Sequence, residues 1–367
     1  MTIGINAAAA FIRPRTGVEE YVYQLIKALT TLEESQRHHF ILFSPSKDSF
    51  DFKLPVNFEI RKLSWSLPLW TQARLATEMF FRKPEILFIP VHILPLIHPE
   101  NSVVTIHGLE YEYFPKTYSR KHLAYLKWSA AHAVKKAEKI IAVSESTKND
   151  LIRFCGAKPE RIAVVYHGIA PLKIKTQNLK REQNIICKTP TEKPFFLFLG
   201  RLEEKKNILG IIKAFELLKK KYQLPHKLIL AGASGYGFKK IKSEINSSKF
   251  KDDIIESGYI CEQDKWRLLE KTEALVFPSF YEGFGLPILE AQASGCPVIT
   301  SDVSSLPEVA GDGAILIKPE VEQIYRAMYK IIDDVDLRKR LIDQGYQNVK
   351  KFSWRKCARK TLKELLS

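Results

Sequence analysis

Two kinds of apolar pattern alternate along the chain. Short apolar runs, bounded by glycine, proline or charged residues, recur at 3–7, 40–43, 58–61, 86–89, 103–106, 140–143 and 162–165, and again at 195–199, 227–231, 254–257, 274–276 and 297–300. Most are apolar at successive positions and not at every second one, which predicts strands buried on both faces, as in a parallel sheet. Between them apolar residues return every three or four positions. That spacing predicts helices near 18–32, 70–81, 119–137, 145–154, 208–221, 263–271, 287–294, 321–333 and 336–352. Strands alternating with helices imply crossover units and therefore an α/β chain with parallel sheets. A last stretch, 353–367, sets Trp354, Cys357, Leu362 and Leu365 among lysines and predicts an amphipathic helix.

Length turns this pattern into two domains. A chain of 367 residues exceeds what one core usually organises, and 45% hydrophobic with 11% aromatic residues is enough for two. Residues 171–194 are polar, lysine-rich and punctuated by Thr189-Pro190 and Lys193-Pro194, as a connector is. The expected division is a Rossmann-like domain over 1–175, the connector over 171–194 and a second Rossmann-like domain over 190–352. Open α/β sheets bind ligands beyond the carboxyl ends of their strands, so chemistry is sought there.

Composition removes several classes of function. No apolar run approaches the roughly 20 residues of a membrane-spanning helix, and 1–6 reads as a strand and not as a signal peptide. Cys155, Cys187, Cys261, Cys296 and Cys357 are scattered without metal spacing, so no zinc site and a reduced, cytoplasmic chain are expected. The net charge of +16, from 57 basic against 41 acidic residues, favours anionic partners. Residues 118–139 interleave Arg120, Lys121, Lys127, Lys135, Lys136 and Lys139 with Tyr125 and Trp128. Two accounts of that helix stand level: a face lying on an anionic membrane leaflet, at the inner surface of the membrane, or a solvated lysine-rich face. No nucleic-acid-binding module is present.

The candidate chemistry follows strands. After 274–277 comes Pro278-Ser279-Phe280-Tyr281-Glu282-Gly283-Phe284-Gly285-Leu286-Pro287, then Glu290 within the next helix. Glycines there let backbone N–H groups approach a ligand, and a helix N-terminus favours an anion. Glu282 and Glu290, eight residues apart, are placed to take hydroxyls of one ligand whose phosphates lie between them, the layout of a sugar nucleotide. A glycosidase acid and base pair is also compatible with the spacing. After 195–199, Gly200-Arg201 and Lys206 supply a fork and a point charge suited to phosphate oxygens. After 103–106, His107-Gly108 places an imidazole at a strand end. Gly17 stands in the first strand-to-helix loop, and 231–237, with Gly232, Gly235 and Gly237, lacks the lysine of a P-loop.

In combination, Glu282 to Glu290 with Glu-Gly-Phe-Gly-Leu-Pro, Gly200-Arg201-Leu202 with Lys206-Asn207, and the strand ending in His107 resemble the family-4 retaining glycosyltransferases of the GT-B fold, mannosyltransferase members above all. The resemblance spans nearly the whole chain and is strongest over 195–319. It implies two doubly wound domains facing a cleft, with helix 353–367 returning to the first domain. It implies transfer of a hexose, best read as mannose from GDP-mannose, to a hydroxyl of a glycan or lipid-linked acceptor in bacterial-type surface polysaccharide synthesis, with no cofactor and no metal. UDP-glucose and UDP-N-acetylglucosamine remain open as donors, and an epimerase or a non-catalytic glycan binder are the rival classes. His107, Glu282, Arg201 and Lys206 are the implied catalytic residues, Arg201 and Lys206 clamping the diphosphate. Gly232, Gly283, Phe284, Gly285, Leu286 and Glu290 are the implied donor-binding residues, and Gly17 the glycine of the acceptor and phosphate loop. Many members carry His-Asp where this chain has His107-Gly108.

Overall fold

The computed structural model describes residues 1–46, 48–65, 69–169 and 192–367. The connector expected over 171–194 falls outside the described residues, save its last three. The chain divides into two compact units, Met1–Gly168 with Phe352–Ser367, and Ile169–Lys351.

The first unit is built on seven strands: β1 (Thr2–Asn6), β2 (His39–Ser44), β3 (Phe58–Lys62), β4 (Ile86–Ile89), β5 (Ser102–Ile106), β6 (Lys139–Ala142) and β7 (Ile162–Val164). All are parallel, in the order β3-β2-β1-β4-β5-β6-β7. Their continuous apolar character is explained by two cores. Ile3, Ile5, Phe40, Leu42 and Phe88 face one, and Ile41, Phe43, Leu87, Ile89, Val104 and Ile106 face the other. Successive residues of a strand point to opposite faces, so a sheet covered on both sides needs apolar residues at every position.

The first of these cores is closed by the helix Gly17–Leu29 and the final helix Trp354–Leu366. Cys357, Ala358, Leu362 and Leu365 of the final helix pack with Tyr21, Val22, Leu25 and Leu29. Burial of Leu362 and Leu365 contributes about 2 kcal/mol each. Gly168 lies so close to this helix that a β-carbon there meets the Trp354 nitrogen at 2.1 Å.

The second unit holds β8 (Phe195–Leu199), β9 (Lys227–Ala231), β10 (Ile254–Gly258), β11 (Ala274–Phe277), β12 (Val298–Ser301) and β13 (Ala314–Ile317). They are again all parallel, in the order β10-β9-β8-β11-β12-β13. Both sheets are Rossmann-like: the order reverses between β1 and β4 in one and between β8 and β11 in the other, and there the strand-end loops diverge to leave a crevice.

Twelve of the thirteen strands among the described residues lie where the apolar runs place them. β13 is the one left out, although its four residues, Ala314-Ile315-Leu316-Ile317, are all apolar; it is a short edge strand with Leu316 exposed. The helix Phe238–Ser247 is weakly marked in the sequence, since only Ile241 and Ile245 of its ten residues are buried. The helix expected over 70–81 opens as a π-helical turn, Thr71–Leu75, before Ala76–Phe81.

Two glycine turns beside the second crevice are pressed together. Gly200 and Gly232 have φ of 145° and 150°, and the Gly200 N–H donates to the Ala231 carbonyl at 2.9 Å. A β-carbon on Gly232 lies 1.9 Å from the Gly200 carbonyl oxygen. Both the backbone conformation and the contact require glycine here. Gly232→Ala is therefore expected to cost at least about 3 kcal/mol, read as a fall in urea midpoint with little change in the slope of the transition.

Candidate active site

In the second unit, the loops after β8 and β11 leave the sheet on either side of the strand-order reversal. The first carries Arg201 and Lys206, the second Glu282, and the two are tied by the Phe280 N–H, which donates to the Lys205 carbonyl at 2.9 Å. The Lys206 ammonium pairs with Glu282 Oε1, and its Nζ also lies 5.6 Å from the centre of the Phe277 ring. Both partners are largely buried, with 13% and 12% of their side-chain surfaces exposed. Arg201 differs: the residue is exposed, and no hydrogen bond or ion pair holds its side chain among the described residues. Its stem lies over Gly235, where a β-carbon meets Cγ at 2.8 Å. Exposure with a fixed stem suits a group that meets an anion from solution.

Glu282 is restrained at several atoms. Ser279, fully buried, donates to Oε1 at 2.7 Å. The Glu282 N–H donates to Ser304 Oγ at 3.0 Å, and the hydroxyl of Ser305 is shared between the carbonyls of Glu282, at 2.9 Å, and Phe284, at 2.8 Å. Gly285, with φ of 110°, caps the helix Leu286–Ala293. The side chain of Phe284 is buried, so at that position the backbone is what a ligand meets. Glu290, in the second turn of that helix, pairs with Lys265. Gly232 needs no ligand to explain it, because the Gly200 carbonyl occupies its open side.

The first unit presents a histidine cluster. His107 follows β5, half-buried, with Nε2 2.7 Å from the Pro90 carbonyl oxygen. A carbonyl only accepts, so Nε2 carries the proton and Nδ1 is left as an acceptor. Burial, helped by the neighbouring His92 ring, lowers the His107 pKa to about 4. The imidazole is therefore neutral near pH 7, a hydrogen-bond acceptor and not a cation. Tyr21 meets its ring edge-on, centroids 4.8 Å apart, while its hydroxyl lies 3.2 Å from Thr105 Oγ1. Tyr21 also stacks on His167 at 4.6 Å, and His167 on Trp354 at 6.0 Å.

Gly17 opens the helix Gly17–Leu29, whose first turn is fastened by the Thr16 N–H donating to Glu19 Oε2 at 3.1 Å. Nothing lies within 4 Å of a β-carbon built on Gly17. The protein itself does not demand glycine at this place. Val143-Ser144, by contrast, is a capping site: Ser144 Oγ accepts from the Thr147 N–H at 3.0 Å.

Pattern reading picked out the charged members, and the structure brings Lys206 and Glu282 into contact. It did not reach Ser279, Ser304, Ser305, Lys265 or Pro90, which hold those residues. Their one legible signal is the serine pair Ser304-Ser305 just past a buried strand, where polar residues beside a strand end commonly turn toward a loop.

Gly17→Ala offers a clean separation of roles. Removing a glycine from a helix gains about 0.5–1 kcal/mol, so thermal stability should hold or rise. Transfer activity should fall at least tenfold, on the order of what a small displacement of a reactant costs. A fully active, stabilised variant would show that Gly17 borders no ligand.

Two family models match, Glycosyltransferase Family 4 over residues 15–171 and Glycosyl transferases group 1 over residues 180–348. The chain is 28% identical to O-antigen chain mannosyltransferase B of Escherichia coli, with 95% of each chain covered. It is 26% identical to O-antigen chain mannosyltransferase RfbU of Salmonella typhimurium, over 75% of this chain and 72% of the relative. Among solved structures, the sucrose-phosphate synthase of Thermosynechococcus elongatus superposes with a TM-score of 0.75 at 18% identity, covering 99% of this chain and 97% of the other. WaaG, a glycosyltransferase involved in lipopolysaccharide biosynthesis, gives 0.72 at 14% identity, with 98% of both chains covered. With a family-4 first half and a group-1 second half on two Rossmann-like sheets, this chain belongs to the glycosyltransferases of the GT-B fold.

Proposed function

We propose that the enzyme transfers a mannosyl residue from GDP-mannose to a hydroxyl of a growing surface polysaccharide, with retention at the anomeric carbon. The observation that carries the donor sugar and the pathway is the likeness to an O-antigen chain mannosyltransferase over 95% of both chains. The placement of Arg201, Lys206, Glu282 and Glu290 on loops and a helix beyond the strand ends of the second sheet supports the roles that follow.

The C1–oxygen bond to the diphosphate breaks with its electron pair going to the leaving oxygen. Arg201 and Lys206 offset the charge that grows there, a contribution worth several kcal/mol when donors are fixed beforehand. Lys206 exchanges its contact with Glu282 for a phosphate oxygen, and Glu282 takes a sugar hydroxyl. Glu290, held by Lys265, accepts from the ribose. The backbone N–H groups of Gly283 to Leu286, at the start of a helix, face the diphosphate. His107 offers Nδ1 to a sugar hydroxyl as a neutral acceptor. The acceptor hydroxyl adds to the face the diphosphate leaves and passes its proton to the departing oxygen.

In this reading side chains supply the positive charge and no divalent ion is needed. Purified protein given GDP-mannose, UDP-glucose or UDP-N-acetylglucosamine with a glycolipid acceptor extract should release nucleotide diphosphate from GDP-mannose alone, and EDTA should leave the rate unchanged. Arg201→Ala should lower kcat by a factor on the order of 100 or more without altering the melting temperature. Loss of activity in EDTA that manganese or magnesium restores would overturn the metal-free assignment, and turnover of a UDP-sugar alone would overturn the donor.

The acceptor is read as lipid-linked, met at an anionic membrane surface. No described helix is long and apolar enough to cross a membrane, but the first domain exposes large apolar side chains: Leu69, Leu96, Ile97 and Trp128 are 62%, 59%, 44% and 41% exposed. They lie near one another, since Gln72 bonds the 94–96 backbone and Ser129, beside Trp128, donates to the His92 carbonyl at 3.1 Å. Exposed Arg120, Lys121, Lys135 and Lys136 share the helix of Trp128. Apolar anchors beside basic residues suit an interface with anionic lipid. The protein should sediment with phosphatidylglycerol vesicles and not with phosphatidylcholine vesicles. Lys121→Glu combined with Trp128→Ser should abolish this, and equal sedimentation of variant and wild type would exclude the face.

A further inference from the structure

The serine pair beyond β12 holds the backbone of Glu282. Every polar atom of Glu282 but one is committed: its N–H to Ser304, its carbonyl to Ser305, and Oε1 to Ser279 and Lys206. Oε2 accepts from no described residue. Ser279 and Ser305 are fully buried, so two of these restraints act away from competing water. With Ser279 still on Oε1 when Lys206 moves to a phosphate, Oε2 is the acceptor oxygen without a partner, directed by that bond and by the backbone beneath it.

Ser304 shows that the arrangement is more than a turn. Its φ is 51°, a left-handed conformation that disfavours ordinary side chains and suits glycine. A turn alone gains from glycine at this place. The serine keeps a strained backbone and in return supplies Oγ, which takes the Glu282 N–H. Without it that N–H, in a partly buried loop, loses its acceptor.

We infer that Ser304, together with Ser305, is a specificity-determining positioning residue: by pinning the Glu282 backbone it aims Oε2 at one hydroxyl of the donor hexose and makes the enzyme discriminate between epimeric sugars. This rests on the reading of Glu282 as a ligand of the donor sugar. A fixed lone acceptor rejects an epimer whose hydroxyl points elsewhere, because the carboxylate oxygen is then left without its hydrogen bond. A loosely held carboxylate follows the hydroxyl and discriminates less.

The chemistry of the αL position supplies the test. Ser304→Gly removes the acceptor while relieving the backbone, so it is expected to fold as well as the wild type. Ser304→Asn tolerates the same conformation and retains a side-chain oxygen to accept the Glu282 N–H. The readout is the ratio of kcat/KM for two epimeric donors, GDP-mannose with GDP-glucose or UDP-glucose with UDP-galactose, on whichever pair the wild type turns over, alongside the melting temperature. Ser304→Gly should lose about tenfold in this ratio with no fall in melting temperature, and Ser304→Asn should retain the wild-type ratio. An unchanged ratio in Ser304→Gly overturns the inference. Glu282→Ala separates the two layers: if it collapses the ratio while Ser304→Gly does not, only the role of the serine fails, and if it too leaves the ratio unchanged, the reading of Glu282 fails with it.

Discussion

Burial of both faces of each parallel sheet is the constraint on which the rest depends. A strand such as Phe195–Leu199, buried at all five positions, has no surface on which to place a charge. Polar function is thereby confined to the strand ends, where backbone groups are released from the ladder and helices begin. The reversal of strand order separates neighbouring loops, and in the second sheet those loops carry Arg201 and Lys206 on one side and Glu282 on the other. These side chains are held by backbone-anchored turns at the strand ends.

The interactions differ in what they do. Lys206 and Glu282 neutralise each other in a largely buried setting, where a lone charge is costly and a pair is tolerated. Arg201 is exposed and needs no such partner. His107 is kept neutral by burial and given its tautomer by a carbonyl, so it is an acceptor prepared in advance. His107 thus has its protonation state and tautomer set, and Glu282 its hydrogen-bond partners, before any ligand arrives.

The sequence made the sheets legible because two-sided burial writes itself as uninterrupted apolar runs, and it made Arg201, Lys206, Glu282 and Glu290 legible because charged residues beside glycine turns stand out against those runs. The four apolar residues of β13 went unread even so, as did the helix Phe238–Ser247, whose burial rests on two isoleucines. The supporting shell of the site was also illegible. Ser279, Ser304, Ser305 and Pro90 act through a hydroxyl or a carbonyl that every serine or residue possesses, and only three-dimensional proximity gives these particular ones a role. Glu290 with Lys265 illustrates the same limit: 25 residues separate them, and no periodicity links a loop-bordering helix to its charged neighbour.

The first and last segments of the chain belong to one body. Met1–Gly168 and Phe352–Ser367 share a core, and the polypeptide leaves it at Gly168 and re-enters at Phe352 after building the whole second unit. On a ribosome, where the chain emerges from its amino end, the first domain waits with the face of Tyr21, Leu25 and Leu29 uncovered until the closing helix is made. The second domain, continuous in sequence, has all its strands long before then. The domain begun first is thus completed only after the second has been made, and until then it carries an uncovered apolar face.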